Sequence, residues 1–154
     1  NVRLQLAMES ARLGGYSVAL VYIDLDGFKP VNDQYGHHEG DVVLKIISER
    51  LSSIVRGTDT VARLGGDEFG VILQGIGSKE RAQPILDKML AVIAQDIQLE
   101  CGEQVKVCGS LGIAFYPRHS LMPENLCRQA DEAMYKEKEK KNCWVSYGDL
   151  NQED

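Results

Sequence analysis

No apolar stretch of this chain approaches the roughly 20 residues that a membrane-spanning helix requires, and no charged leader with an apolar run marks a signal peptide. An excess of basic charge is also missing: 17 Lys and Arg stand against 23 Asp and Glu, a net charge of -6. That balance excludes the broad basic surface that nucleic acid or an anionic membrane demands, so neither is expected to touch this chain directly. A phosphorylated ligand stays compatible with it, provided metal ions offset the like charge. Cys101, Cys108, Cys127 and Cys143 lack Cys-x-x-Cys spacing, which argues against zinc and for reduced packing thiols in the cytoplasm. Internal repeats, linkers and low-complexity segments are absent too. The 154 residues therefore suffice for one domain, residues 1–154, with a real core.

What the sequence does have is an acidic tip between two short apolar strands. Thr60 to Leu64 and Phe69 to Leu73 read as strands joined through Gly65-Gly66, which suits a primed hairpin turn with positive φ at both central residues. Asp67 and Glu68 follow at the tip, where carboxylates on a stiff hairpin can hold a hard cation. A second acidic tip lies upstream. Val18 to Ile23 is apolar without alternation, as in a central strand covered on both faces, and it ends in Asp24-Leu25-Asp26-Gly27. Positions i and i+2 share a strand face, so Asp24 and Asp26 can approach one ion. Magnesium is commonly held by one or two carboxylates plus substrate phosphates. A solvated strand end or a helix-capping Asp would explain Asp24 and Asp26 equally; the paired tips favour a metal site.

The remaining pattern is that of one α/β unit. A helix over Val2 to Arg12 is stopped by Gly14-Gly15, and a short helical segment spans Phe28 to Tyr35. An amphipathic helix over Asp41 to Val55 turns Val43, Ile46, Ile47, Leu51, Ile54 and Val55 inward. Ser78 caps a helix running to about Ala94. A strand over Val105 to Phe115 and a helix over Pro123 to Lys140 follow, the latter with Leu126, Ala130, Ala133 and Met134 inward. Trp144 to Tyr147 closes the chain as a strand. The order suggests an α+β sandwich with an antiparallel-rich sheet.

Several motifs, in order, resemble the GGDEF (diguanylate cyclase) family. They are Asp24-Leu25-Asp26-Gly27-Phe28-Lys29, Val31-Asn32-Asp33, Gly36-His37, Gly40-Asp41 and Arg63-Leu64-Gly65-Gly66-Asp67-Glu68-Phe69. Ser110 to Ala114 and Ala130 to Tyr135 resemble its later blocks. The family's opening, ending Leu-Pro-Asn-Arg, has no counterpart, so the chain is expected to begin inside the first helix of that domain. The resemblance implies a palm-like, ferredoxin-related core, similar to nucleotide cyclase catalytic domains, in which Asp24 and Asp67 meet. It further implies a divalent ion, Mg²⁺ or Mn²⁺, held by Asp24, Asp67 and the backbone carbonyl of Leu25. Glu68 would be a further ligand or the base for a ribose 3′-hydroxyl, with water as an alternative base. Phe28 and Lys29 would meet the phosphates of GTP through backbone N–H groups and an ammonium charge.

Asn32 and Asp41 would select the purine. A carboxylate accepts two hydrogen bonds from the N1–H and 2-amino edge of guanine, and adenine offers no such pair. Without the family pattern, Asn32 reads as a turn residue and Asp41 as an N-cap of the helix after it. His37 matches the family's Gly-His and is expected to brace the loop. His38 is expected to be exposed, and neither histidine is assigned a catalytic role. Arg56-Gly57-Thr58-Asp59 precedes Gly65 by five residues, the spacing of the family's inhibitory product site, where Arg56 and Asp59 would hold cyclic di-GMP. An ordinary helix-end Arg with an Asp in the next turn explains the same letters.

The chain departs from the family after Tyr135. Lys138 matches a phosphate-reaching lysine, but Glu139-Lys140-Lys141-Asn142 lacks the glycine of the family's Gly-Arg-Asn or Gly-Lys-Asn turn, leaving Lys141 or Lys140 to substitute. The expected activity is a diguanylate cyclase acting across a homodimer. The alternatives are a catalytically weak or inactive nucleotide-binding regulatory module and a cyclase acting within one purine triphosphate.

Overall fold

In the computed structural model, which describes residues 2–136 and 140–151, the elements fold around one five-stranded sheet. Strand β1 (Val18–Asp26) is central, and the spatial order is β2 (Thr60–Gly65), β3 (Glu68–Gln74), β1, β6 (Cys108–Tyr116), β7 (Cys143–Ser146). β3 and β6 both run antiparallel to β1, while β7 runs parallel to β6.

The unalternating apolar run of β1 has a direct cause. Ala19, Val21, Ile23 and Leu25 face a core built with α2 (Phe28–Tyr35), α3 (His37–Ile54) and α4 (Lys79–Ile93). Val18 and Leu20 face a second core built with α1 (Val2–Gly14) and α5 (Pro123–Lys136), so neither side of the strand meets water. The sequence β1-α3-β2-β3-α4-β6, with its strands ordered β2-β3-β1-β6, is the ferredoxin-like arrangement expected from the motifs. Arg50 of α3 ties the layers together, donating to the carbonyls of Val92 (3.2 Å), Gln95 (3.1 Å) and Asp96 (2.6 Å) at the C-terminal end of α4. Ser78 caps α4 as expected, its hydroxyl accepting from the Arg81 amide at 3.3 Å.

Four expectations are corrected. Gly65 pairs with Glu68, so the central turn residues are Gly66 and Asp67 rather than the two glycines; Gly66 has φ +50 and Asp67 is not among the positive-φ residues. That sign pattern is the type II′ alternative, with an irregular register between Arg63 and Gly65. Helix α3 starts at His37 after Gly36 (φ 92), which puts Asp41 in the second turn and removes the N-cap reading. The strand expected from Val105 to Phe115 is divided: β5 (Gln104–Val105) pairs with β4 (Ile97–Gln98) in a separate ribbon before β6 begins. Tyr147 leaves the last strand for a 3₁₀ turn, Tyr147–Asn151. The expected continuation of the helix to Lys140 crosses 137–139, outside the described residues, and Lys140 itself lies in a bend.

Candidate functional site

The two acidic tips meet at one end of the sheet. Asp24 lies opposite Glu68 of β3 on one side and Ser110 of β6 on the other. Directly opposed residues of antiparallel strands share a face, so the carboxylates of Asp24 and Glu68 emerge together. Past the last strand pair the backbone remains joined, the Leu25 amide donating to the Asp67 carbonyl at 3.1 Å. Asp67 is thereby fixed beside Asp24-Leu25 although 43 positions separate 24 from 67 in the chain. Arg63 braces the tip, its Nε donating to the Gly66 carbonyl at 3.1 Å. Asp24, Asp67 and Glu68 are each half-buried, in reach of solvent but backed by the core.

Asp26 takes a different path. It is buried, and its Oδ2 accepts from the Ser110 hydroxyl at 2.5 Å, which turns it towards β6. Sequence reasoning did not single out Ser110 as a partner; only the β1–β6 register brings 26 and 110 together. On the same face Tyr22 is half-buried, and burial, helped by Cys127, keeps its phenol protonated far into alkaline solution.

A second cluster surrounds the corner between α2 and α3. Gly27, with φ +88, lets β1 turn directly into α2, so the amides of Phe28 and Lys29 are among the first-turn donors that lack an intrahelical acceptor. Lys29 is exposed, whereas the Phe28 ring packs against the larger core. Asn32 lies flat against the first turn of α3. A Cβ at Gly40 would overlap its Oδ1 and stand 3.3 Å from the Phe28 ring, so Gly40 is the position that makes room for the Asn32 amide. Asn32 Nδ2 and His37 Nδ1 are 3.1 Å apart, which is the bracing role expected of His37. Asp41 is exposed one turn further along. His38 is exposed, as expected, and reaches Glu100 at 2.5 Å. That contact raises its pKa, the hydrogen bond to Glu100 being the largest cause.

Arg56 and Asp59 are also brought together. Asp59 accepts from the Arg56 amide (2.9 Å), the Arg56 guanidinium (3.1 Å) and the Gln74 amide (3.0 Å), and its side chain is 2% exposed. The guanidinium also donates to the Gln74 carbonyl and stays 58% exposed. The carboxylate is thus occupied inside the turn, while the arginine faces outward. Lys138 lies outside the described residues. Of its neighbours, Lys140 and Lys141 are exposed, and Asn142 adopts φ +64, a left-handed conformation that asparagine tolerates better than most residues.

The donors at the strand tip are all oxygen, which suits a hard divalent ion. Among the described residues, no three His, Cys, Asp or Glu side chains gather into a metal cage. Two carboxylates and a carbonyl leave room for ligand oxygens. Cys101 is exposed rather than packed, while Cys108, Cys127 and Cys143 are half-buried. No helix among the described residues is long and apolar enough to cross a membrane.

Known proteins share this arrangement. The chain is 41% identical over 133 residues to the diguanylate cyclase TpbB of Pseudomonas aeruginosa, covering 86% of this chain and 31% of that protein. It superimposes on the crystal structure of the GGDEF domain of PA1120 (YfiN or TpbB) of Pseudomonas aeruginosa with a TM-score of 0.88 and 39% identity, covering 94% and 90% of the two chains. The GGDEF domain of DgcB from Caulobacter crescentus, solved in complex with c-di-GMP, matches with a TM-score of 0.83 and 25% identity, covering 94% and 86%. The chain spans between 20% and 37% of the length of the first curated relatives it matches. A family model described as "Diguanylate cyclase, GGDEF domain" covers residues 1–143. With its acidic strand tip joined to an acidic hairpin on a ferredoxin-like sheet, the chain belongs to the GGDEF diguanylate cyclase domain family.

Proposed function

We propose that this chain condenses two GTP molecules into cyclic di-GMP and two pyrophosphates, working as a homodimer. The observation that carries the reading is the Leu25–Asp67 backbone bond, which joins the two acidic tips in a member of this family. Each 3′-oxygen attacks the α-phosphorus of the opposite GTP, a new P–O bond forms, and the bond to the β-phosphate breaks. Two such steps in opposed half-sites require a two-fold pair of subunits.

The family generally uses a divalent metal. Here Asp24, Asp67 and the Leu25 carbonyl would hold it as Mg²⁺ or Mn²⁺, and their all-oxygen donor set fits that choice. When bound, such an ion screens the triphosphate and acidifies the hydroxyl. The chain's own groups do the rest. Glu68 receives the hydroxyl proton or completes the ligand set. Lys29 and the first amides of α2 orient the phosphates, and Lys138, matched to the family's phosphate-reaching lysine by sequence, is assigned to the same role. Asn32 and Asp41 read the guanine edge; a carboxylate whose two acceptors are matched by guanine and left unmatched by adenine disfavours the wrong base. GTP chemistry puts the working domain in the cytoplasm. Product analysis after incubation with GTP and Mg²⁺ is the test: wild type should yield cyclic di-GMP, and Asp67→Ala should lose roughly 100-fold or more of that rate. Chelation should abolish turnover. GTP binding without any product would reject the enzyme reading and support the nucleotide-binding regulatory module instead.

Arg56 and Asp59 form the candidate inhibitory site for the product. Its exposed guanidinium supports this, as does the DgcB domain in complex with c-di-GMP. Arg56→Ala should relieve inhibition by added cyclic di-GMP; an unchanged inhibition curve removes the assignment.

A further inference from the structure

The start of α3 has two sides. One carries Gly40 and Asp41 and backs Asn32, the latter two being the groups proposed to read guanine. The other carries Glu39, a charged residue that is 6% exposed although it sits on the outer layer of helices. Its Oε1 accepts from the Glu100 amide at 3.1 Å and its Oε2 from the Cys101 amide at 3.0 Å. The Cys101 bond contributes most to holding the Glu39 carboxyl below the usual carboxylate range, so the charged form is the one the site is built around. His38 contacts the same segment through Glu100, but in solvent, where such a pair contributes little.

The segment that Glu39 grips is itself rigid. It is the turn of the β4–β5 ribbon, closed by the Leu99 amide donating to Glu103 (2.8 Å) and the Gly102 amide donating to Leu99 (3.1 Å). Ile97, Leu99 and Val107 anchor it in the larger core. Both oxygens of one carboxylate therefore connect the base-reading turn to a fixed point of the fold. Among the described residues, no other side chain of the α3 first turn makes a buried link of this kind.

We infer that Glu39 is a positioning residue for nucleobase recognition: by clasping the β4–β5 turn it sets where Gly40, Asp41 and, through Gly40, Asn32 stand relative to guanine. This rests on the reading of Asn32 and Asp41 as the guanine-binding pair. Glu39 touches no nucleotide. Without it the helix start is released from the ribbon, and the two reading groups lose their common register. The loss falls on contacts that depend on the guanine edge rather than on the phosphates.

Equilibrium binding of GTP and of inosine triphosphate, which lacks the 2-amino group, tests this in the presence of Mg²⁺. Glu39→Ala should weaken GTP about tenfold and inosine triphosphate much less, narrowing the preference between them. Glu39→Gln keeps one acceptor oxygen and should fall between, and it carries the measurement if the alanine variant does not fold. A GTP affinity within about twofold of wild type, or equal weakening of both nucleotides, overturns the inference, since a merely structural role acts on both alike. Wild-type protein that binds neither nucleotide removes the guanine reading and this inference together, an outcome distinct from a variant that behaves like wild type.

Discussion

Gly112 shows how much can depend on one absent side chain. It lies on β6 opposite Tyr22, directly beneath α5, and a Cβ there would stand 2.8 Å from Met134 Cα and closer still to the Ala130 carbonyl. Neither neighbour is a flexible side chain, so the helix itself would have to move. Gly112→Ala should therefore destabilise the fold by about 3 kcal/mol, read as a lowered denaturation midpoint. The sequence marked this residue only as an interruption within a strand; that it admits a helix backbone became visible once α5 was packed on the sheet. Ser110 is a similar case. As one letter in a Ser-Leu-Gly-Ile-Ala block it points to no partner, whereas across the β1–β6 register its hydroxyl donates to the buried Asp26 carboxylate.

At the scale of elements, the best-read pieces were those whose own letters carry the period. β1, α4 and the inward face of α5 match their expected patterns because burial on both sides, a serine cap and spaced apolar residues act locally. The turn in the acidic hairpin and the start of α3 were misplaced by one and four residues, since pairing register and a non-helical Gly36 decide them, and neither is written in a short window. Of the β4–β5 ribbon only Val105 was read as strand, and its pairing with β4 was missed: two-residue strands have no period to detect. Arg50 joins two elements, and its removal should be felt at both. Arg50→Met releases the carbonyls of Val92, Gln95 and Asp96 and should cost about 2 kcal/mol. Arg50→Lys should recover less than half of that in a denaturant titration, because one ammonium cannot span three acceptors.

For the whole molecule, pH is the readiest probe of packing outside the site. His119 sits between Phe115 and Tyr147, with ring centroids 5.5 and 5.4 Å away, and its Nδ1 accepts from the Phe115 amide at 3.0 Å. Burial first, and the charge of Arg118 second, lower its pKa, while Asp149 opposes them. A depressed folded value means that its stabilisation is present above the ordinary histidine value of about 6.5 and is lost as pH falls through the lower folded value. The melting temperature should accordingly be flat above about pH 7.5 and decline below it, and His119→Asn should flatten that decline. Glu39 acts in the same direction at lower pH, since its carboxyl is also depressed in the fold.

The chain of letters alone determined the family, the sheet-and-helix class and the identity of both acidic tips, because each rests on local composition at fixed spacing. It also carried the candidate guanine pair, but left Asp41 divided between a cap and a ligand. Tertiary structure decided what required distant segments to meet: that Asp67 stands at Leu25, that Asp26 belongs to Ser110, that Asp59 is spent inside its own turn, and that Glu39 grips the ribbon. Strand register and helix docking set those distances, and both follow from burial summed over the whole core rather than from any one stretch of sequence.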